Sequence, residues 1–347
     1  MAATSPALLP LGGVCDARFT AVRDAFVANF AERGDVGAAI AVSVGGRLVV
    51  DLWGGFADAA RHRAWQHDTL VDVFSVTKAL ATVCVLQLVE RGRLDLDAPV
   101  ARYWPEFATA GKDAVTVRHV LSHRAGLPAI DALLADGTML DWDAMVRAIE
   151  RQTPWWAPGS AHGYHVNTFG FLVGELVRRV SGMSIGTWLR TAVAVPLGAD
   201  IHIGLPAADH ARVAEFLWPP HALVPPPPPP GTATDIRMRW AAYWNPPGLS
   251  GAGWVNSAAW RRAELPSTNG HTTARGLARV YAALAGGGSV DGVHLLAGPV
   301  LATAVVEQSV GLDRILDRPS RFGLGFQLTQ PERPLGPNPG AFGHFGT

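Results

Sequence analysis

The sequence predicts an α+β protein, with strands paired antiparallel and a mostly helical region inserted in the middle of the chain. Three observations lead there. An amphipathic helix runs directly into a hairpin pattern, a long apolar helix follows, and roughly residues 95 to 245 read as short helices and loops. The first of these argues against a doubly wound parallel sheet, because parallel strands need a crossover connection between them.

Residues 16–33, DARFTAVRDAFVANFAER, place Phe19, Val22, Phe26, Val27 and Phe30 at near-helical spacing, with polar residues opposite. Next, Ile40, Val42 and Val44 alternate with small residues, Gly45 and Gly46 intervene, and Leu48, Val50 and Leu52 alternate again. That pattern is an antiparallel hairpin. From Thr77 to Arg91 the chain is helical and mostly apolar, with Gly92 as its stop, so this helix should cross the core. Beyond the middle region, Pro225 to Pro230 form an extended, stiff connector. A docking motif for proline-recognition domains is the alternative, and it suits an enzyme-sized chain less well. TTARGLARVYAALAGGG then reads as a helix, and RFGLGFQLTQ and GAFGHFGT read as strands. The expected division is a sheet domain from residues 1–94 and 246–347, interrupted by a helical region at 95–245.

Lysine plus arginine balances aspartate plus glutamate at 29 each, with no basic block, so a nucleic-acid partner is not expected. The start, MAATSPALLPLGGVC, lacks a cationic leader region, and its apolar part is short and broken by prolines. No apolar run is long enough to span a bilayer, so the expected setting is cytoplasmic, without a membrane partner. Cys15 and Cys84 lie in separate elements and show no metal-ligand spacing, so packing roles are expected, with no metal or cofactor.

Lysine occurs only at 78 and 112, which makes Lys78 in VFSVTKAL stand out. Ser75 precedes it by three residues, and on a helix that spacing puts the two side chains on one face. A lysine drawn into apolar surroundings loses solvation of its charged form and can then take the serine proton. An isolated SxxK more often marks an edge lysine whose ammonium reaches water. Here no charge follows until Glu90, and no nearby carboxylate accounts for the cation.

Two other patterns compete. GMSIG, Gly182 to Gly186, satisfies GxSxG around Ser184, but it follows a helical segment where a nucleophile elbow requires a strand. His119 and His123 have the spacing of metal ligands on one helix face, yet no third ligand is suitably spaced, and polar anchoring is the better reading.

Taken together, VFSVTKAL, VRHVLSHRAGLP, APGSAHGYHVNTFGFLVGELVRRVSG and FGHFGT resemble the β-lactamase-related serine hydrolases, especially the family VIII carboxylesterases. The likeness runs from about the first helix to the last residue. It implies a β-lactamase/penicillin-binding-protein-like fold, an antiparallel sheet flanked by helices with a helical insertion. It also implies a tyrosine facing the serine. Of Tyr103, Tyr164, Tyr243 and Tyr281, Tyr164 matches, because it follows the APGS loop and precedes a helix starting near Thr168. Asn167 stands one place later than the amide of the β-lactamase pattern. The lysine of the family's KTG motif is replaced at His344, in His344-Phe345-Gly346. Imidazole recognises a substrate carboxylate less well than an always-charged ammonium, which favours simple esters over penicillins and peptide C-termini.

The resemblance implies Ser75 as nucleophile, Lys78 and Tyr164 as its proton-transfer partners, and the backbone N–H groups of Ser75 and Thr347 as an oxyanion hole. His344, Gly346 and Trp156 are candidate substrate contacts, and Trp155 and Trp156 either line an acyl pocket or simply pack. Relatives continue past the position of Thr347 into further strands and a final helix, so C-terminal elements are expected to be missing. The implied activity is hydrolysis of short-chain carboxylic esters through an acyl-serine, with a small-molecule ester as the partner. β-Lactam or D-alanyl-peptide hydrolysis, acyl transfer to another alcohol, or a silent binding protein are the alternatives.

Overall fold

The structure, a computed structural model, describes residues 9–218 and 224–346. Strands β1 (Leu11–Cys15), β2 (Gly37–Val44) and β3 (Arg47–Gly55) form an antiparallel sheet in the order β1-β3-β2. Gly45 and Gly46 both have positive φ, 57° and 81°, as a two-residue hairpin turn between β2 and β3 requires. Helix α1 (Thr20–Glu32) covers the sheet by packing Phe26, with Phe19, Val22 and Phe30, against Val49, Val50 and Leu52. The sequence reading missed β1 because LGGVC offers no alternation. Its Gly13 has φ of +110°, and a Cβ there would lie 1.9 Å from the Asp51 carbonyl oxygen across the ladder.

Helix α2 (Thr77–Glu90) is buried continuously from Thr77 to Leu88. A helix apolar on every side can be stable only when neighbours surround it. Helices Thr168–Ser181, Ile185–Leu189 and Gly298–Ala304 supply those neighbours. The middle of the chain is mostly helical, including Val117–Leu121 and Trp142–Arg151. It also contributes one short strand that periodicity could not reveal. In a small antiparallel sheet, β6 (His271–Thr272) pairs with both β4 (Val71–Asp72) and β5 (Ile201–His202). Segments from before α2, from the middle region and from beyond it are thereby joined just ahead of Ser75.

Strands β7 (Ser289–Val290) and β8 (Val293–His294) form a hairpin after the helix Ala274–Ala285. Strands β9 (Ser309–Leu312), β10 (Pro319–Phe322), β11 (Gln327–Leu328) and β12 (Phe342–Gly343) form an antiparallel meander. The run Pro225–Pro230 carries no helix or strand, and the Pro225 carbonyl accepts a hydrogen bond from Trp240 Nε1 at 3.1 Å. Cys15 and Cys84 are free thiols, and burial pushes the Cys84 thiol pKa upward. None of the described helices is long and apolar enough to cross a membrane.

Candidate active site

Ser75 sits in the turn that feeds α2, two residues before its first helical position. The approach to it is tightly bonded. Val73 donates its N–H to the Gly270 carbonyl at 2.9 Å, Phe74 donates to Asp72 Oδ1 at 2.8 Å, and Thr77 donates to the Phe74 carbonyl at 2.9 Å. Phe74 adopts φ of +45°, a left-handed conformation that costs a bulky residue free energy. Among the described residues no acceptor takes the Ser75 N–H, which leaves it available to an incoming oxyanion.

Lys78 is fully buried, one turn along from Ser75. Its Nζ lies 3.1 Å from Ser75 Oγ and 3.0 Å from the Ser267 carbonyl oxygen, and 4.8 Å above the Tyr164 ring. No carboxylate pairs with it among the described residues. Desolvation therefore acts unopposed and pulls its pKa well below the ordinary lysine value of 10.5. In the neutral amine, Nζ has a lone pair for the Ser75 proton.

Tyr164 lies on the loop ahead of the helix Thr168–Ser181. The buried Asp313 carboxylate fixes its backbone, accepting the Tyr164 N–H at 3.0 and 3.1 Å, the N–H groups of Ile315 and Leu316 at 2.9 Å each, and the Ser320 hydroxyl at 2.9 Å. The ring stacks on Phe322 at 5.8 Å with an interplanar angle of 8°, and His123 closes its other surroundings at 4.9 Å. Burial raises the phenol pKa, and the facing Ser75 hydroxyl partly offsets that rise. Even so, among the described residues Oη makes no fully aligned hydrogen bond and stays buried without a partner. The pair of shifts divides the labour. A lysine whose charged form is destabilised by burial can serve as a proton acceptor, whereas a tyrosine held protonated can donate one.

His344 follows β12 and places its ring 6.0 Å from that of Tyr164. Burial, followed by the field of Lys78, lowers its pKa to about 3, so the imidazole is neutral. Its Nδ1 bonds the Phe345 carbonyl oxygen at 2.8 Å, and Nε2 is buried without a partner among the described residues. Gly346 backs directly on the loop that carries Ser75, where a Cβ would lie 2.4 Å from the Val73 carbonyl oxygen. Thr347, the second expected oxyanion donor, lies outside the described residues.

The remaining sequence candidates take other positions. Ser184 caps the helix Ile185–Leu189, donating to Glu264 Oε1 at 2.7 Å and accepting the Thr187 N–H at 3.3 Å. His119 completes a capping box with Thr116, while His123 Nδ1 accepts the His165 N–H at 3.1 Å. Among the described residues no three metal-ligating side chains gather. Trp156 is buried in the cluster behind Tyr164, with its ring 6.1 Å from His165. Trp155 donates Nε1 to the Ala129 carbonyl at 2.9 Å. The Asn167 amide is fully engaged, donating to Ala242 O and Ser250 Oγ and accepting from Thr268 Oγ1. Tyr103 Oη accepts the Asp95 N–H at 2.9 Å, and Tyr281 Oη is buried near Gly343. Sequence reasoning missed Asp313 and Ser267, which meet Tyr164 and Lys78 across 149 and 189 residues and belong to no motif.

Comparison with known proteins shows the family. The family described as Beta-lactamase matches residues 23–347, and the chain belongs to that family. It is 35% identical over 344 residues to the esterase/beta-lactamase LipL of Mycobacterium tuberculosis, covering 96% of this chain and 77% of that protein. Among solved structures, a family VIII carboxylesterase superposes with a TM-score of 0.88 at 41% identity, covering 97% of this chain and 88% of that one. A penicillin-binding protein homolog from Caulobacter crescentus superposes with a TM-score of 0.87 at 43% identity, over the same shares of the two chains.

Proposed function

We propose that the protein is a carboxylesterase that hydrolyses small, uncharged carboxylic esters through an acyl-serine intermediate. The observation that carries this reading is a buried lysine, without a carboxylate partner among the described residues, 3.1 Å from a serine hydroxyl and over the ring of a buried tyrosine. Ser75 Oγ attacks the ester carbonyl as Lys78 Nζ takes its proton. The carbonyl oxygen becomes the oxyanion and accepts the Ser75 N–H. Collapse breaks the bond to the leaving alcohol, and the Tyr164 phenol, resupplied by Lys78, protonates the departing oxygen. Water then repeats the sequence on the acyl-enzyme, and the proton returns to Ser75.

Substrate preference follows from His344 and the relatives. A neutral imidazole at that position offers no fixed positive charge to a substrate carboxylate. LipL is named for both esterase and β-lactamase activity, so β-lactam turnover is the second reading. Purified protein assayed on p-nitrophenyl butyrate and on nitrocefin separates the two. The ester should be turned over far faster, and preferential nitrocefin hydrolysis would refute the ester assignment.

A further inference from the structure

Three residues ahead of Ser75 stands a carboxylate that the chemistry above does not use. Asp72 is buried at the end of β4, opposite His271. Its Oδ1 accepts the Phe74 N–H at 2.8 Å, and its Oδ2 accepts the Trp260 indole N–H at 2.7 Å. No cation lies within ion-pair distance among the described residues, and a buried carboxylate without one is costly to keep. Burial pushes its pKa up to about 7, although both N–H donors and the more distant Arg261 favour the ionised form. His271 bonds its Nδ1 to the Asn269 carbonyl oxygen and is itself held neutral, with a pKa lowered to about 3.

The residue that Asp72 grips is the strained one. Phe74 is held at φ of +45°, where glycine would be at ease and phenylalanine is not. Its carbonyl is clamped as well, by the Thr77 N–H and the Thr77 hydroxyl, and that hydroxyl in turn accepts the Gly270 N–H at 2.8 Å. The phenyl ring packs 4.8 Å from Phe216 and 6.4 Å from Trp218, so relaxing the backbone would also disturb that cluster. Both peptide groups of Phe74 are thus tied down immediately before Ser75.

We propose that Asp72 is a positioning residue for the nucleophile: with Trp260 orienting its carboxylate, it holds Phe74 in the left-handed conformation that aims Ser75 Oγ at Lys78. The inference rests on Ser75 being the nucleophile. Asp72 touches no reacting atom, so its removal should lower turnover and leave substrate binding almost unchanged.

A double-mutant cycle tests this, because glycine at 74 adopts a positive φ without help. In the otherwise wild-type protein, Asp72→Ala, which removes the acceptor of the Phe74 N–H that asparagine would retain, should lower kcat for p-nitrophenyl butyrate about 100-fold, as misplacement of a reacting atom does, with KM nearly constant. In the Phe74→Gly background the same change should cost no more than about threefold. If Phe74→Gly does not fold, Phe74→Asn replaces it, since asparagine also tolerates the left-handed region. Equal losses in both backgrounds, or no loss in the first, would overturn the proposal. Labelling of wild-type Ser75 with a fluorophosphonate separates the two levels. An unlabelled serine would overturn the nucleophile and its positioning together, whereas a labelled serine with additive losses overturns only the role of Asp72.

Discussion

Lys78 Nζ lies 3.1 Å from Ser75 Oγ, and among the described residues no carboxylate shares that nitrogen. Burial without a counter-charge keeps the amine available as a base, and the pH dependence of activity follows from it. The active form is deprotonated, so kcat/KM should rise with pH through the lowered Lys78 pKa and level off well below 10.5. The plateau should persist past the ordinary tyrosine range, because the Tyr164 phenol is shifted upward. A pH–rate profile checks both limbs, and an acid limb centred at an ordinary lysine pKa would contradict the assignment.

Lys78→Arg keeps a long nitrogen-bearing side chain but replaces the base with a fixed cation, because guanidinium does not deprotonate in proteins. Steady-state assays should show kcat reduced by a factor on the order of 10² to 10⁴, the usual contribution of a positioned general base.

Tyr164→Phe should separate activity from stability. The phenol oxygen is buried without a partner among the described residues, so its deletion relieves a desolvation cost while removing the proton donor. The variant should lose on the order of 10²-fold or more in kcat yet unfold no earlier than wild type in a thermal melt. A large drop in melting temperature would assign the hydroxyl a structural role.

Ser184→Ala tests the competing serine. It removes a helix N-cap and a bond to Glu264, so a loss of about 1 kcal/mol in stability is expected from denaturant unfolding. Esterase activity measured below the unfolding transition should be retained.

His344→Lys would place an ammonium where the structure has a neutral ring. The ratio of nitrocefin to p-nitrophenyl butyrate turnover should rise about tenfold or more, the range of one charge-assisted hydrogen bond. An unchanged ratio would mean that this position does not read the substrate carboxylate.

Much of this was legible in the sequence because its signals were local. Ser75 and Lys78 are one helical turn apart, the Gly45-Gly46 turn fixes its own hairpin, and α2 announces its burial through the uncharged stretch between Lys78 and Glu90. Tyr164 emerged from the order of motifs and not from periodicity. What stayed hidden depends on long-range pairing between ordinary residue types. Asp313 holds Tyr164 from 149 residues away, and a two-residue strand such as β5 has no periodicity to read. Phe74 was hidden for a different reason. Nothing in its side chain announces a left-handed backbone, which only the fold imposes.

The most direct test of the central claim is mass spectrometry of tryptic peptides after treatment with a fluorophosphonate probe. Stoichiometric labelling at Ser75, lost in Ser75→Ala and strongly slowed in Lys78→Arg, is the predicted result. A label on Ser184, or labelling of Ser75 at the same rate without Lys78, would contradict it.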